Sequence, residues 1–446
     1  MPPTTRHLKL PGVIVELINT GSELLLGRIL NTHQQWLCRR LADLGYTVSR
    51  QVAVPDAGGA IQQAVRESLS RADLVITTGG LGPTSDDLTR ELIAQLLGRR
   101  LIEDAAVVEQ IKSYFVSRNR PVPASTRLEA LVPVGAQVLV NRFGTAPGLA
   151  IEVTEEGGRS IEGGAPPAVP TSARNKWLIM LPGPPRELRP MFNEHVAPLL
   201  PRVLPLADEF ICLTLRSTGL GESTVAEKIG ERLRPFVERG LDLGYCARMG
   251  QVDVRLSARG DTAAPLVREA ELLTRELLQP HIFGTQDDDL ETIVVQLLTR
   301  RKQTLALAES CTGGGLAHRV TNVPGASVVF PGGFVTYSNA LKEKILGVRP
   351  ETLAAHGAVS KAVACEMAEG ARQQAGADYA LSVTGIAGPG GGTPEKPVGT
   401  VFIALAAAND RTVAVRNFNP WDRETFKHMT VNQALELLRR KMLAAA

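Results

Sequence analysis

The sequence predicts an α/β protein with a parallel-sheet domain over residues 1–205, a small α+β domain over residues 206–286 and a second α/β domain over residues 287–446. Three observations support this prediction. Short apolar runs alternate with segments of helical periodicity from Val13 onward. After Phe210 the order changes to strand, helix, two strands and helix. A wholly apolar run near residue 305 then restores the first pattern.

Composition is typical of a globular protein with several cores. The 446 residues are 44% hydrophobic and 21% charged. A net charge of +3 and an aromatic content of 4% disfavour direct nucleic-acid binding. No apolar run approaches the ~18 residues that span a bilayer, and the first residues lack the apolar segment of a signal peptide. Five scattered cysteines without a CxxC pair predict a cytoplasmic protein with neither a disulfide framework nor a zinc site.

The first domain opens with alternating strands and helices. This order predicts a parallel sheet covered by helices. Ligands of such sheets bind beyond the carboxyl ends of the strands, where the loops 20–33 and 77–92 follow. The strands are expected at 13–18, 48–54 and 74–78, one helix around Trp36, Leu37, Leu41 and Leu44, and a second helix at 61–69.

The second of these loops contains three glycines, Gly79, Gly80 and Gly82. Glycine allows the backbone conformations in which successive N–H groups form a nest for phosphate oxygens. Thr84 or Ser85 is then expected to cap the next helix, because a hydroxyl can accept a bond from a free N–H group at a helix start. The loop is therefore a candidate phosphate site.

Asp86 and Asp87 follow and are expected in the first turn of that helix. One explanation for them is a favourable interaction with the helix dipole, worth about 0.3–1 kcal/mol each. The other is a metal site, because carboxylates beside a phosphate nest can share Mg²⁺ or a similar ion with phosphate oxygens. The residues alone leave both explanations open and do not separate Asp86 from Asp87.

The rest of the first domain and the middle domain carry fewer chemical groups. Paired strands are expected at 136–140 and 148–153, and the Gly-, Pro- and Ser-rich segment 154–176 is expected to be an exposed hairpin extension or a disordered loop. A buried strand and a Pro-initiated helix then complete the first domain. In the middle domain the GLGES turn at 219–223 suggests RNA binding, but it places Glu where an RNA clamp needs positive charge. A spacer or dimer-contact role is favoured.

The third domain is organised around Ser310. An apolar strand runs directly into Glu309 and Ser310, and Gly313 and Gly314 follow at the start of a helix. N–H groups at a helix start favour a developing oxyanion, so a serine at this elbow can act as a nucleophile. A helix cap is the alternative, because serine beside glycine commonly caps helices.

A base for Ser310 is offered by a second strand-to-helix turn. Tyr337 and Lys342 bracket that turn, and both can point into the same cleft. Burial lowers the pKa of a lysine, and a neutral lysine can accept a serine proton. A solvated helix position is the alternative for Lys342. Cys311 is a competing nucleophile, but thiol nucleophiles commonly need a His partner, and His318 lies along the next helix.

A long Gly/Pro-rich loop follows the next apolar strand of this domain. Thr384, Gly385 and Gly388 are expected to hold a phosphate or ribose group through backbone N–H groups. Arg423 can add a charge-assisted bond to a phosphate. A surface ion pair with a neighbouring carboxylate, Asp422 or Glu424, is the alternative.

Three blocks of this domain resemble the CinA family of competence/damage-inducible proteins: AESCTGG, VTYSNALKEKILGV and VTGIAGPGGGTPEKPVGTVFIAL. The resemblance implies a nicotinamide-nucleotide amidase, which hydrolyses nicotinamide mononucleotide to nicotinate mononucleotide and ammonia. The sequence of this domain has no carboxylate–His cluster, which predicts that the amidase needs no metal. It implies Ser310 as the nucleophile, Lys342 as the base and Tyr337 as a residue that orients or relays the proton. Backbone N–H groups from Thr312 to Gly314 are then expected to hold the oxyanion.

The two loops of the first domain resemble those of the molybdopterin-binding-like domain of CinA proteins. This resemblance implies an ADP-ribose pyrophosphatase that depends on a divalent cation (Mg, Mn or Co), with Asp86 or Asp87 as the catalytic or metal-binding acid. His33 stands where the family usually has Asn, which leaves its contact with a ligand open. The middle domain resembles the KH-like domain of some CinA proteins. A homodimer is expected by resemblance alone.

Two other classes of function stay open at the level of sequence. One is a molybdopterin-binding or nucleotidyl-transfer protein, which the first domain would suit if it retains that ligand. The other is a non-enzymatic scaffold in DNA uptake and recombination, as the family's name suggests. The weak net charge disfavours a scaffold that binds DNA directly.

Overall fold

A computed structural model describes residues 12–154, 175–408 and 410–444. Most of the segment expected to be an exposed extension, residues 155–174, lies outside the described residues. The α/β prediction is confirmed, and the sheet of the N-terminal half is largely parallel. None of the helices in the described part of the chain combines the length and the apolarity needed to cross a membrane.

The chain divides into two compact units, whereas the sequence pattern divides it into three domains. The expected middle and C-terminal domains fall mainly within the second unit. The units comprise Met1–Ile211 with Arg259–Asp261, and Cys212–Ala258 with Thr262–Ala446.

A six-stranded sheet forms the centre of the first unit. The strands of this unit are β1 (Val15–Thr20), β2 (Val48–Val54), β3 (Leu74–Thr78), β4 (Leu101–Glu103), β5 (Leu131–Pro133), β6 (Gln137–Leu139), β7 (Gly148–Val153) and β8 (Lys176–Leu181). The sheet has the order β2-β1-β3-β8-β7-β6. The strands β2, β1, β3 and β8 are parallel to one another. Strand β7 is antiparallel to β8, and β6 is antiparallel to β7. The expected pairing of two strands near residues 137 and 150 is thereby confirmed.

Helices cover both faces of this sheet, so that β1 and β3 are buried along their whole length. Asn31 accepts a hydrogen bond from the N–H of Gln34 at 3.1 Å and caps the second helix. The helices are α1 (Ser22–Leu25), α2 (Thr32–Asp43), α3 (Gly58–Arg71), α4 (Thr89–Leu96), α5 (Ala105–Val116), α6 (Pro185–Met191) and α7 (Ala197–Val203), with a 3₁₀ helix at Ala124–Ala130 and a π turn at Phe192–Val196.

One helix boundary in the first unit differs from the prediction. Helix α4 begins at Thr89, so Asp86 and Asp87 lie in the loop before it and not in its first turn. Neither Thr84 nor Ser85 caps the helix, whose N-cap is Leu88 without a side-chain bond. The expectation of capping and dipole interaction is therefore wrong for this loop.

The second unit contains two sheets and eight helices within its described residues. Its strands are β9 (Phe210–Thr218), β10 (Asp242–Arg248), β11 (Gln251–Arg259), β12 (Ile282–Thr285), β13 (Leu305–Glu309), β14 (Gly332–Val335), β15 (Tyr379–Gly385), β16 (Thr400–Ala407) and β17 (Val413–Phe418). Its helices are α8 (Glu222–Glu238), α9 (Ala263–Leu278), α10 (Leu290–Arg301), α11 (Gly315–Thr321), α12 (Asn339–Leu346), α13 (Pro350–His356), α14 (Lys361–Ala375) and α15 (Arg423–Ala444), with a 3₁₀ helix at Ala326–Val328.

The smaller sheet has the order β10-β11-β9-β12, and the larger one the order β14-β13-β15-β16-β17. In the larger sheet β13 lies between β14 and β15 and is parallel to both. Leu305 and Leu307 of β13 face one apolar core, while Ala306 and Ala308 face the other. The strand before Ser310 is therefore buried on both sides, as its composition predicts, and it delivers Ser310 to the carboxyl edge of the sheet.

Candidate active sites

Ser310 lies at the end of β13, at the point where three strand ends are joined by hydrogen bonds. Its N–H donates to the carbonyl of Val383 in β15 at 3.0 Å. The carbonyl of Glu309 accepts from the N–H of Thr336, which follows β14, at 2.9 Å. These bonds bring the turns after all three strands to one edge of the sheet. Only 8% of Ser310 is exposed.

Glu309 performs the capping role that was considered for Ser310. Its carboxylate is buried and accepts from the N–H groups of Gly314 and Leu316 at 3.0 Å and of Ala317 at 2.7 Å. Three free N–H groups at the start of α11 are thereby bonded to one anion. The hydroxyl of Ser310 is not needed as a cap and stays available for chemistry.

The same bonds correct the expectation for the oxyanion site. The N–H of Gly314 is bonded to Glu309, and the N–H of Gly313 donates to the carbonyl of Ser310 at 3.1 Å. The N–H groups of Cys311 and Thr312 lie against the Cys311 sulfur, which is a weak acceptor. Of the expected donors, the N–H of Thr312 is bonded to no oxygen among the described residues, and its bond to an oxyanion remains a prediction.

Lys342 is buried, with 1% of its surface exposed, and its amine contacts Ser310. Its Nζ lies 3.1 Å from Ser310 Oγ, 2.8 Å from the carbonyl oxygen of Thr336 and 3.3 Å from that of Tyr337. Burial lowers the pKa of Lys342, because an ammonium loses hydration in the interior. The alternative of a solvated helix lysine is therefore wrong.

A neutral amine can make the three contacts of Lys342, as an ammonium can. An –NH₂ group has two hydrogens and one lone pair. The hydrogens can bond to the two carbonyl oxygens, which leaves the lone pair directed to the hydroxyl of Ser310. This is the geometry that a general base needs toward its nucleophile.

Cys311 does not compete as a nucleophile. It is 5% exposed, and burial raises the pKa of its thiol to about 12. The thiolate is the reactive form of cysteine, and at neutral pH it is negligible at such a pKa.

Tyr337 differs from the expectation. Its side chain is 61% exposed, and its phenol oxygen accepts a hydrogen bond from Arg423 at 3.0 Å. The contact between Tyr337 and Lys342 is made by the backbone carbonyl. Tyr337 thus orients Lys342 through its main chain, while its phenol belongs to the outer part of the site.

Arg423 is anchored toward the site and is not part of a surface ion pair. Its guanidinium donates to the carbonyl of Gly388 at 2.8 Å in addition to Tyr337. Asp422 instead accepts from the N–H groups of Glu424 and Thr425 at 3.0 Å and caps α15. The alternative of an ion pair between Arg423 and Asp422 or Glu424 is wrong.

The end of β15 and the loop after it support this arrangement mainly through close packing. Thr384 is 1% exposed, and its hydroxyl donates to the carbonyl of Ala358 at 2.9 Å. A Cβ at Gly385 would lie 2.8 Å from the carbonyl oxygen of Thr400. Gly388 has φ 75°, a conformation that favours glycine, and its carbonyl holds Arg423. These residues shape the edge of the site, and their binding to a phosphate or ribose remains a prediction.

Two further groups face the Ser310 turn. Thr312 is fully buried, and its hydroxyl has no partner among the described residues. The amine of Lys427 lies 3.8 Å from the position that a Cβ on Gly313 would take. Lys427 follows Arg423 by one turn of α15, and it has no acidic partner in the part of the chain that the structure describes. Arg423 and Lys427 thus lie on one face of α15, and the Lys427 amine lies beside the turn.

The second candidate site is a cleft in the first unit. It has a volume of about 380 Å³ and lies at the carboxyl ends of β1, β3 and β8. The hydroxyl of Thr20 donates to the carbonyl of Thr78 at 3.2 Å, which keeps the first two strand ends together. Six carboxylates line the cleft: Glu23, Asp56, Asp86, Asp87, Glu129 and Glu187.

The glycine loop forms one wall of this cleft. Gly79 and Gly80 have φ of 97° and 66°, in the region that glycine adopts most easily. A Cβ on Gly79 would lie 2.7 Å from Thr20 Oγ1, and one on Gly82 would lie 2.5 Å from Asp87 Oδ2. The expectation that this loop needs glycine is therefore met, and its binding to phosphate remains a prediction.

The structure distinguishes Asp86 from Asp87. One oxygen of Asp87 accepts from the N–H of Thr84 at 3.0 Å and from the Thr84 hydroxyl. Asp87 therefore fixes the loop. Asp86 is exposed at the edge of the cleft, and the nearby Thr84 hydroxyl keeps the pKa of its carboxyl below the usual value. It is an ionised carboxylate near neutral pH and the better placed of the two to meet a cation.

The lining of the cleft fits a divalent cation. Six carboxylates face it, and the described residues that line it include no Lys, Arg or His. Among the described residues, no three His, Cys, Asp or Glu side chains converge closely enough to hold a metal ion by themselves. Mg²⁺ commonly binds through one or two carboxylates together with water and substrate phosphates, which matches such a lining.

His33 lies beside this cleft rather than in its lining. Burial and the nearby Arg189 lower the pKa of His33, whereas a hydrogen bond with the backbone of Gly183 raises it by a smaller amount. Its Nδ1 has no partner among the described residues. His33 is therefore a neutral imidazole near neutral pH.

Comparison with known proteins agrees with the resemblance in the sequence. The chain matches the families described as "CinA C-terminal domain" over residues 287–442, "Probable molybdopterin binding domain" over 16–202 and "Damage-inducible protein CinA KH domain" over 213–284. It is 45% identical to a CinA-like protein of Akkermansia muciniphila over 94% of this chain and 95% of that protein. The chain belongs to the CinA family.

Two further similarities were found. A CinA-like protein of Gemmatimonas aurantiaca is 40% identical over 96% of each chain. A crystal structure of the competence/damage inducible protein CihA from Agrobacterium tumefaciens is 42% identical and covers 34% of this chain and 92% of its own, with a TM-score of 0.33.

Several side chains at the two candidate sites were not predicted from the sequence. Lys427 could have been found from its spacing of four residues after Arg423. Glu309 could have been assigned from its place between a buried strand and a glycine turn. Glu129 reaches the acidic cleft from a distant segment, and no local pattern indicates this.

Proposed function

We propose that this CinA-family protein hydrolyses the carboxamide of nicotinamide mononucleotide to nicotinate mononucleotide and ammonia. The observation that carries the proposal is the position of Lys342, whose amine lies 3.1 Å from Ser310 Oγ and is held by two carbonyl oxygens. A serine and a buried lysine in this relation can form an acyl-enzyme without a histidine.

In the first step Ser310 Oγ attacks the carboxamide carbon, and Lys342 Nζ accepts the hydroxyl proton. The N–H groups of Cys311 and Thr312 are the donors available to the oxyanion that forms. Lys342 then gives its proton to the leaving nitrogen, and the C–N bond breaks to release ammonia.

In the second step water attacks the acyl-enzyme. Lys342 is again neutral and accepts a proton from the water, and Ser310 leaves as its hydroxyl when the proton is returned. The carbonyl oxygens of Thr336 and Tyr337 hold the amine in place through both steps. The product is the carboxylate of nicotinate mononucleotide.

The phosphate of the substrate has a natural counterpart at the rim of this site. Arg423 and Lys427 stand one turn apart on α15 with no acidic partner among the described residues. Two like charges at this spacing repel each other by a few tenths of a kcal/mol, unless an anion lies between them. A nucleotide monophosphate supplies such an anion, whereas an uncharged amide does not.

The acidic cleft of the first unit supports a second activity, the hydrolysis of ADP-ribose to AMP and ribose 5-phosphate. A pyrophosphate cannot approach six carboxylates without cations, so the lining favours a substrate that arrives with a divalent metal. Asp86 is the carboxylate placed to hold that ion. When bound, the ion neutralises phosphate charge and polarises phosphorus.

The test is to incubate the purified protein separately with nicotinamide mononucleotide and ADP-ribose, each with and without a chelator. We expect ammonia from the mononucleotide under both conditions, and AMP from ADP-ribose only without chelator. Loss of ammonia release on chelation would contradict the Ser–Lys mechanism. AMP formation that survives chelation would contradict the metal-dependent activity.

A further inference from the structure

Glu129 is the most unusual carboxylate in the acidic cleft. It lies in the 3₁₀ helix that precedes β5 and is 1% exposed, yet it lines the cleft. One carboxyl oxygen accepts a hydrogen bond from the Thr145 hydroxyl at 2.9 Å. The other, Oε2, is buried without a partner among the described residues. A buried carboxyl oxygen without a partner is unfavourable for folding, so its position beside a binding cleft points to a partner in the ligand.

We propose that Glu129 is the proton acceptor of the acidic cleft and that its free oxygen, Oε2, takes a proton from the water that attacks the pyrophosphate. The proposal rests on the ADP-ribose activity proposed above and deepens it. The hydrogen bond from Thr145 fixes one oxygen of the carboxyl. It thereby restricts the orientation of the other oxygen, Oε2. Asp86, at the edge of the cleft, is left to the cation.

The chemical step balances with water alone. The water oxygen forms a bond to one phosphorus while one of its protons passes to Glu129 Oε2. The bond between that phosphorus and the bridging oxygen breaks, and the bridging oxygen leaves with its electron pair as an oxygen of the second phosphate. Glu129 returns its proton to solvent after the products leave. No oxidant, reductant or further reactant is needed.

The charges around Glu129 suit a base that works near neutral pH. Burial raises the pKa of Glu129 to about 7, and the carboxylates of Asp87 and Glu187 act in the same direction. The Thr145 hydrogen bond and the buried guanidinium of Arg90 oppose the shift. A general base is most effective when its pKa lies near the working pH.

Neighbouring carboxylates do not offer the same combination. Glu187 is also buried, but both of its oxygens have partners: one accepts from Asn141 at 2.8 Å and the other pairs with Arg186 at 3.6 Å. Asp87 is bonded to Thr84. Among the described carboxylates that line the cleft, Glu129 therefore joins burial, a fixed orientation and an oxygen without a partner.

The test compares the wild type with Glu129→Gln and Thr145→Val, using ADP-ribose and a saturating divalent metal. Glutamine keeps the shape and the bond to Thr145 but cannot accept the proton. We expect kcat for AMP formation to fall about 10²-fold or more with little change in KM. The loss of rate on the acid side of the wild-type pH profile should vanish in this variant.

Thr145→Val is a matched control that changes the pKa of Glu129 and keeps its carboxyl. The Thr145 bond lowers the pKa of Glu129, so its removal should move the acid limb of the profile to higher pH without abolishing the activity. A second readout needs no substrate or metal. Infrared difference titration of wild type against Glu129→Gln should show a protonated carboxylic acid that ionises near pH 7.

The outcomes distinguish the pyrophosphatase activity itself from the role of Glu129 in it. A wild type that forms no AMP overturns the pyrophosphatase activity and this proposal with it. A wild type that forms AMP, together with a Glu129→Gln variant of unchanged kcat and pH profile, overturns only the role of Glu129. A fall in affinity alone, with kcat unchanged, would assign Glu129 to binding and also overturn its role as the base.

Discussion

The two candidate sites share one location in an α/β sheet and differ in how complete they are. Around Ser310 the chain supplies the nucleophile, the base and the groups that position the base, all joined by hydrogen bonds of 2.8–3.3 Å. In the first unit the cleft presents glycines and six carboxylates, whose charge is not balanced by a basic group in the described lining. The first arrangement can act on a neutral amide. In the proposed function, the second accepts a phosphate together with a cation.

This difference shows two ways to use the carboxyl edge of a parallel sheet. A buried strand that ends in an elbow can fix a side chain within hydrogen-bond distance of a base. A glycine loop with acidic neighbours leaves space and negative charge for a metal-bound anion. The sites should therefore respond differently to mutation, chelation and pH.

The largest expected effect is on the amidase. Ser310→Ala or Lys342→Met should lower ammonia release from nicotinamide mononucleotide by about 10³-fold or more, because nucleophile and base act as one unit. AMP formation from ADP-ribose in the same preparation serves as the control and should stay unchanged. Ammonia release at the wild-type rate in Ser310→Ala would rule out the mechanism.

The next effect separates the two aspartates of the cleft. Asp86→Ala should lower AMP formation by about 10²-fold and raise the metal concentration needed, while thermal stability stays close to that of wild type. Asp87→Ala should instead lower stability by about 1 kcal/mol, because it leaves the N–H of Thr84 without its partner. Equal losses of activity in both variants, or none in either, would contradict this division.

The pH dependence of the amidase follows from Lys342. The base must be neutral, and burial lowers its pKa from the usual value of a lysine. The value of kcat/KM for the mononucleotide should therefore rise about tenfold per pH unit below that pKa and level off above it. A rate that is constant from acidic to alkaline pH would show that Lys342 is not the base.

The cations on α15 should act on binding. Arg423→Ala and Lys427→Ala should each raise KM for nicotinamide mononucleotide about tenfold with a smaller change in kcat, because each removes a charge-assisted bond to phosphate. Nicotinamide riboside, which lacks the phosphate, is the matched substrate control. A similar rise of KM for the riboside would show that these residues do not bind the phosphate.

The smallest expected effect concerns Tyr337. Its phenol bonds to Arg423, and its carbonyl bonds to Lys342. Tyr337→Phe keeps the carbonyl, so ammonia release should fall only by about the twofold to tenfold that one hydrogen bond supports. A loss as large as that of Ser310→Ala would restore the phenol as a proton relay.

Local patterns were sufficient for the elements and for part of the site. The apolar runs at β3 and β13 and the Gly turns after them are visible in the sequence, because a buried strand needs continuous apolar residues and a tight turn needs glycine. Ser310 and Lys342 were candidates because each lies at or near a turn that joins an apolar strand to a helix. The start of α4 was not found, because Asp86 and Asp87 bond within the loop instead of capping the helix.

The sequence by itself determined the α/β class, the strand before Ser310 and the residue types that can carry amide and phosphate chemistry, since these depend on periodicity and on neighbouring residues. Tertiary structure alone decided that the carbonyl and not the phenol of Tyr337 holds Lys342, that Glu309 saturates the helix start, and that Glu129 is buried beside Thr145 in the cleft. Each depends on burial and on contacts between distant segments. The direction of a side chain and the dielectric around it are fixed only when those segments pack together.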